Sequence, residues 1–87
     1  MSNGKTKAIT ITLDFPIKVD GVEISTISIR RPKVNDILVA EKSSNGSSTD
    51  SEIQTFANLC QLTPADIREL DFGDYKKLQQ AFTGFFS

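Results

Sequence analysis

Hydrophobic residues occupy every second position along the first part of the chain. From Lys7 onwards the alternating apolar positions are Ile9, Ile11, Leu13, Phe15, Ile17 and Val19. A period of two is typical of a β-strand with one buried face, so the sequence predicts such a strand here. Pro16 has no N–H and lies out of phase with the apolar residues, which predicts a sheet edge or an interruption at that point.

A turn signal and a second alternating run follow this strand. The dipeptide Asp20-Gly21 readily adopts the two positive φ values of a type I′ turn, so the sequence predicts a β-hairpin over residues 7–30. The apolar residues of the second run change parity along its length, and we predict one extra residue, a β-bulge, near Ser25 and Thr26. The predicted neighbours across the hairpin are Val19 with Val22, Ile17 with Ile24, Phe15 with Ile27 and Leu13 with Ile29.

Helical signals occupy residues 32–86, where apolar residues recur with a period near 3.6 after residues that start or cap helices. Helices are predicted at 32–42 after Arg31, at 50–61 after a capping box of Thr49 and Glu52 or a cap at Asp50, at 64–69 after Thr63, and at 72–85 after Asp71. The polar run 43–49 predicts a flexible linker, and residues 1–6 are predicted to form a disordered tail.

These elements predict a single α+β domain over residues 1–87. An N-terminal antiparallel β-hairpin with a bulge would pack against three to four short C-terminal helices, because an isolated hairpin is marginally stable in water. The length of 87 residues is enough for one modest core. No stretch approaches the roughly 20 apolar residues of a membrane span, and the N-terminus does not resemble a secretory signal.

The composition argues against most catalytic and metal chemistry. The chain has no histidine and a single cysteine, Cys60, which excludes an internal disulfide and a cysteine-based zinc site. Cys60 lies on the apolar face of the second predicted helix, which favours a buried thiol over a reactive one. The acids Asp66, Glu69, Asp71 and Asp74 lie at two predicted helix starts, where capping explains them; a divalent-ion site is the alternative. We therefore predict a protein that is not an enzyme and has no cofactor.

Two groups of residues are candidates for contact with a partner. The first consists of Phe82, Phe85 and Phe86, half of the chain's six phenylalanines. Successive helical residues point about 100° apart, so Phe85 and Phe86 cannot face the core equally, and one of them can be an exposed contact residue. Self-association through these rings is the alternative to binding a distinct partner.

The second group is a basic cluster of Arg30, Arg31 and Lys33, with Lys5 and Lys7 near the N-terminus. It is either a solvated strand end or an electrostatic docking patch. The net charge of −1 disfavours non-specific nucleic-acid binding, which requires many phosphates to be neutralised. A small nucleic-acid-binding regulator that uses the basic cluster stays an alternative.

Three stretches of the sequence, in this order, resemble a known family. They read IKVDGVEI over residues 17–24, IRRPKVNDILVAEK over 29–42 and LTPADIRELDFGDYKKLQ over 62–79. These stretches are similar to the small tail assembly chaperones of contractile-tailed phages, the group that includes the E protein of P2-like phages and the 41 protein of Mu-like phages. The resemblance covers nearly the whole chain, from about Ile9 to Phe86.

The resemblance implies a non-enzymatic role in tail morphogenesis of a phage or prophage. Such a chaperone binds the hydrophobic tape measure protein in the cytoplasm of the host bacterium, keeps it soluble and helps to recruit tail tube protein. It is absent from the mature virion; a structural tail component that stays in the particle is the alternative. Assembly into a homo-oligomer is a further possibility that the sequence leaves open. No nucleic acid or membrane is expected as a partner. Independently of the resemblance, we predict apolar anchors and a polar rim at Phe82, Phe85, Phe86, Arg30, Arg31 and Lys33.

Overall fold

The computed structural model describes residues 6–44 and 46–86. Its elements in chain order are β1 Ala8–Val19, β2 Val22–Arg30, α1 Val34–Ser43, α2 Ser48–Cys60, α3 Pro64–Arg68 and α4 Phe72–Gly84. The predicted α+β class, an antiparallel hairpin followed by helices, is confirmed. The predicted tail lies outside the described residues except for Thr6, and so does Asn45 of the predicted linker.

The hairpin turn forms as the sequence predicts. Asp20 and Gly21 have φ angles of 51° and 80°, the left-handed values that a type I′ turn requires at both central positions. The residues that flank this turn are paired as predicted, Val19 with Val22 and Ile17 with Ile24. The turn therefore fixes the register of the first part of the ladder.

The bulge lies in β1, so its predicted place near Ser25 and Thr26 of β2 is wrong. Residues 13–16 of β1 lie opposite Ser25 alone, and beyond them the partners are Ile11 with Ile27 and Ile9 with Ile29 instead of the predicted Phe15 with Ile27 and Leu13 with Ile29. Pro16 lies within the irregular stretch. Its missing N–H therefore does not interrupt the regular hydrogen bonds between the two strands. Because the alternation is interrupted here, the Phe15 side chain is 61% exposed.

The core lies between the hairpin and the helices. On α2 the side chains of Phe56, Ala57 and Leu59 are buried, and α2 contacts α1, α3 and β2. The Phe56 ring packs against two rings of α4, with centroid distances of 5.5 Å to Tyr75 and 5.6 Å to Phe82. The remaining buried apolar residues of this cluster are Ile11, Leu13, Ile17, Ile27, Ile29, Ile67, Leu70, Leu78, Ala81 and Phe85.

The helix starts agree with the sequence prediction in the second half of the chain. Thr63 caps α3 by accepting the N–H of Asp66 at 3.1 Å, while the Asp66 carboxylate accepts the N–H of Thr63 at 3.0 Å. Asp71 caps α4 by accepting the N–H of Gly73 at 2.9 Å. Each of these caps is a short-range interaction, which explains why local spacing was enough to predict it.

The starts of α1 and α2 differ from the prediction. α2 begins at Ser48, and Ser47 rather than Thr49 or Asp50 is its cap, with its hydroxyl accepting the N–H groups of Thr49 and Asp50. The predicted capping box is therefore wrong, and Glu52 accepts hydrogen bonds from Tyr75 and Gln79 of α4 instead. α1 begins at Val34, two residues later than predicted.

Candidate partner-binding surface

The three C-terminal phenylalanines have different environments. Phe85 is 5% exposed and belongs to the core, whereas Phe86 is 61% exposed. Phe82 is partly buried between the rings of Phe56 and Phe86, and its centroid lies 5.3 Å from that of Phe86 in an edge-to-face arrangement. Of the two neighbours, Phe86 is therefore the ring that can meet a partner.

Arg30 is part of an ion pair that joins the end of β2 to the first turn of α1. Its guanidinium donates to both carboxylate oxygens of Asp36, with N–O distances of 2.7 and 2.9 Å. These hydrogen bonds hold the pKa of Asp36 below its ordinary value despite partial burial. Because Asp36 neutralises it, Arg30 contributes less to a basic patch than the sequence suggests.

Arg31 brings the basic and aromatic candidates together. Its guanidinium carbon lies 5.8 Å from the centroid of the Phe85 ring, at a distance that allows a cation–π interaction. Lys33 follows at the N-terminal cap of α1 with an exposed side chain. In the part of the chain that the structure describes, neither Arg31 nor Lys33 forms an ion pair. We call Phe82, Phe86 and Arg31 the C-terminal patch.

An apolar face of α1 is a surface that sequence reasoning missed. Val34 is 78% exposed, and Leu38, one turn later on the same face, is 51% exposed. The buried residue of α1 is Ala40, through which the helix packs on α2. The sequence did contain one signal of this surface. The apolar residues of α1 cover more of the helix circumference than a single contact with α2 can bury; they are Val34, Ile37, Leu38, Val39 and Ala40.

The acids at the helix starts do not gather into a metal site. Asp66 and Asp71 cap helices as described, and Asp74 is fully buried and faces the bulge of β1. Within residues 6–44 and 46–86, no three or more Cys, Asp or Glu side chains are placed to share a metal ion. Hydrogen bonds within the protein explain the positions of the Asp66, Asp71 and Asp74 carboxylates.

Cys60 lies at the end of α2 and is partly buried. Burial raises the pKa of the Cys60 thiol to about 12, because an apolar environment disfavours the thiolate. Since the thiolate is the nucleophilic form, this side chain has little reactivity near neutral pH.

These features define a small α+β protein that exposes apolar side chains on its helices, the kind of surface that commonly contacts other proteins. The chain matches the family of phage tail assembly chaperone proteins, E, or 41 or 14, over residues 10–87. It therefore belongs to that family, as the sequence resemblance predicts. No curated protein and no solved structure matches the chain. Among the described residues, no helix has the length and apolar character needed to cross a membrane.

Proposed function

We propose that this chain binds the tape measure protein and keeps it soluble during tail morphogenesis, without catalysing a reaction. The observation that carries the proposal is the exposure of Val34 and Leu38 on α1 and of Phe86 just after α4, in a chain that belongs to a tail assembly chaperone family. Exposed apolar side chains of this size are unfavourable in water and become favourable contacts when a partner covers them.

The proposed contact uses the C-terminal patch and the apolar face of α1. A helical segment of a long tail protein would present apolar stripes, which Phe86 and Leu38 can cover while Arg31 and Lys33 form a polar rim. Phe85 is buried beneath this surface, and its ring packs against the guanidinium of Arg31. We place the complex in the bacterial cytoplasm before the tail is complete, with tail tube protein joining later and the chaperone leaving the particle.

Coexpression with the tape measure protein tests this proposal. We expect the soluble yield of the tape measure protein to rise when the chain is present, and the two proteins to copurify. An unrelated small acidic protein expressed at the same level is the control for nonspecific effects. An unchanged soluble yield, or this chain in stoichiometric amount in purified virions, would contradict the proposed function.

A further inference from the structure

The outer edge of β2 carries backbone groups that are unpaired in the described part of the chain. The N–H of Arg31 donates to the carbonyl of Lys7 at 2.7 Å, so these two residues form a hydrogen-bonded pair of the antiparallel ladder. Such pairs alternate with pairs whose N–H and C=O groups point away from the partner strand. Counting back from Arg31, the backbone groups of Thr26 and Ser28 therefore point away from β1.

The outer edge of β1 is different, because α4 closes part of it. The carbonyl of Thr12 accepts a hydrogen bond from Lys77 at 2.8 Å. In the bulge, the N–H groups of Asp14 and Phe15 donate to Asp74 at 2.9 and 3.1 Å. Exposed edges are sites where another strand can pair, so β2 is the strand of this hairpin whose central part is available.

A groove follows the open edge of β2. It has a volume of about 300 Å³ and lies between β2 and the C-terminal end of α2. Its β2 side includes Thr26 and Ser28, whose side chains are exposed, and also Ile27, which faces the core. Because residues of both faces line the groove, it runs along the edge itself. Its other side includes Cys60 and Leu62, which are only partly buried and give an added strand an apolar surface to cover.

The charges at the two ends of β2 determine which strand fits. Arg31 and Lys33 follow its C-terminal end, and Glu23 lies near its N-terminal end; none of these three forms an ion pair with another described residue. An antiparallel strand runs in the opposite direction, so a complementary one carries an acid near its start and cations after its end. β2 itself has this order.

We propose that the strand β2 of a second copy occupies this edge, antiparallel and related by a two-fold axis, so that the two hairpins form one continuous sheet. If the two-fold axis passes near Ile27 or Ser28, the outward N–H and C=O groups of the two β2 strands can pair with each other. The same axis brings Glu23 of one copy toward Arg31 and Lys33 of the partner subunit. Cross-strand pairs of opposite charge are favourable at such positions. This inference goes beyond the proposed function and does not depend on which tail protein is bound.

Proline substitutions at matched positions test the edge. Ser28→Pro removes an outward N–H of β2, whereas Thr10→Pro removes the corresponding outward N–H of β1, since Thr10 and Ser28 are partners in the ladder. Sedimentation from about one micromolar to about one millimolar should show a monomer–dimer equilibrium for the parent chain. Ser28→Pro should weaken dimerisation at least about tenfold because symmetry doubles the loss, and Thr10→Pro should leave it unchanged.

Charge exchange tests the antiparallel direction. Glu23→Lys alone and Lys33→Glu alone should each dimerise more weakly than the parent, because like charges then face each other across the axis. A mixture of the two variants should associate more tightly than either variant alone, since opposite charges face each other again. Circular dichroism and thermal melting of every variant check that it is folded.

Three results would overturn the inference. They are a parent chain that stays monomeric over the whole concentration range, equal dimerisation of folded Ser28→Pro and Thr10→Pro, and a mixture of the charge variants no tighter than its components. If hydrogen exchange shows the amides of Thr26 and Ser28 protected only when a tail protein is added, the edge binds another chain and the second copy is the wrong occupant.

Discussion

Asp74 places a carboxylate in the interior of the protein, where its hydrogen-bonding neighbours are donors. The backbone N–H groups of Asp14 and Phe15 and the ammonium of Lys77 all reach it, the last at 3.2 Å. Burial acts to raise the pKa of Asp74, but these donors outweigh it and hold the pKa below its ordinary value. A single charged side chain of α4 thereby fixes the irregular part of β1.

Replacing this carboxylate should destabilise the fold. Asp74→Asn exchanges one acceptor oxygen for a donor that faces backbone N–H groups, so we expect the free energy of unfolding to fall by about 1–3 kcal/mol. The matched control is Asp14→Asn, because Asp14 also contacts Lys77 but its side chain is 70% exposed; we expect less than about 0.5 kcal/mol there. Urea denaturation measures both, and equal effects would contradict this role of Asp74.

The same carboxylate makes stability depend on pH. The pKa values of Asp74 and Asp36 are lower in the folded protein than their ordinary values, so the unfolded chain binds protons more readily than the folded one. The stabilisation that these two carboxylates provide is therefore fully present above their pKa in the unfolded chain, near 3.9. It is lost as the pH falls through their lower pKa values in the folded protein. Urea denaturation should show a decline below about pH 4. Asp74→Asn should show a shallower decline, and an identical slope would contradict the assignment.

For single residues, the sequence predicted that the acids at the starts of α3 and α4 cap these helices. This prediction was correct for Asp66 and Asp71. Sequence reasoning could not assign Asp74, because the N–H of Asp14 to which it binds is 60 residues away in the chain. The burial of Asp74 depends on the docking of α4 against β1, and no local pattern shows that contact.

At the scale of elements, features with local causes were predictable. The turn at Asp20 and Gly21 and the cap at Thr63 depend on neighbouring residues, and both are confirmed. The bulge and the exposed face of α1 depend instead on which elements dock together. β1 takes the extra residues where α4 supplies Asp74 and Lys77, and α1 exposes Val34 and Leu38 because its buried contact is with α2.

The cap of α2 gives a direct test of an element boundary. Ser47→Ala removes the hydroxyl that accepts two backbone N–H groups, and we expect the free energy of unfolding to fall by about 1 kcal/mol. Thr49→Ala, which the sequence pattern alone would make the damaging change, should have an effect near zero. Thermal denaturation of the two variants shows whether Ser47 or Thr49 caps α2. A larger loss of stability for Thr49→Ala than for Ser47→Ala would contradict the observed cap.

At the scale of the whole molecule, family and fold class followed from the sequence more securely than the contact surface. The predicted contact residues divide in the structure: Phe86 is exposed, Phe85 is buried, and Arg30 is paired with Asp36. The exposed apolar face of α1 was not predicted at all. Which side chains remain uncovered depends on how all the elements pack, so a pattern along the chain cannot determine it.

The soluble yield of coexpressed tape measure protein, measured across a matched set of variants, tests the central claim that exposed apolar side chains shield a partner. Leu38→Asp with Phe86→Asp places charge on the proposed surface, whereas Asn35→Asp with Gln80→Asp makes the same charge change at exposed polar positions of the same two regions. We predict that the first double variant stays folded and loses most of the gain in soluble yield, while the second keeps it. Equal yields from the two folded double variants would contradict the claim.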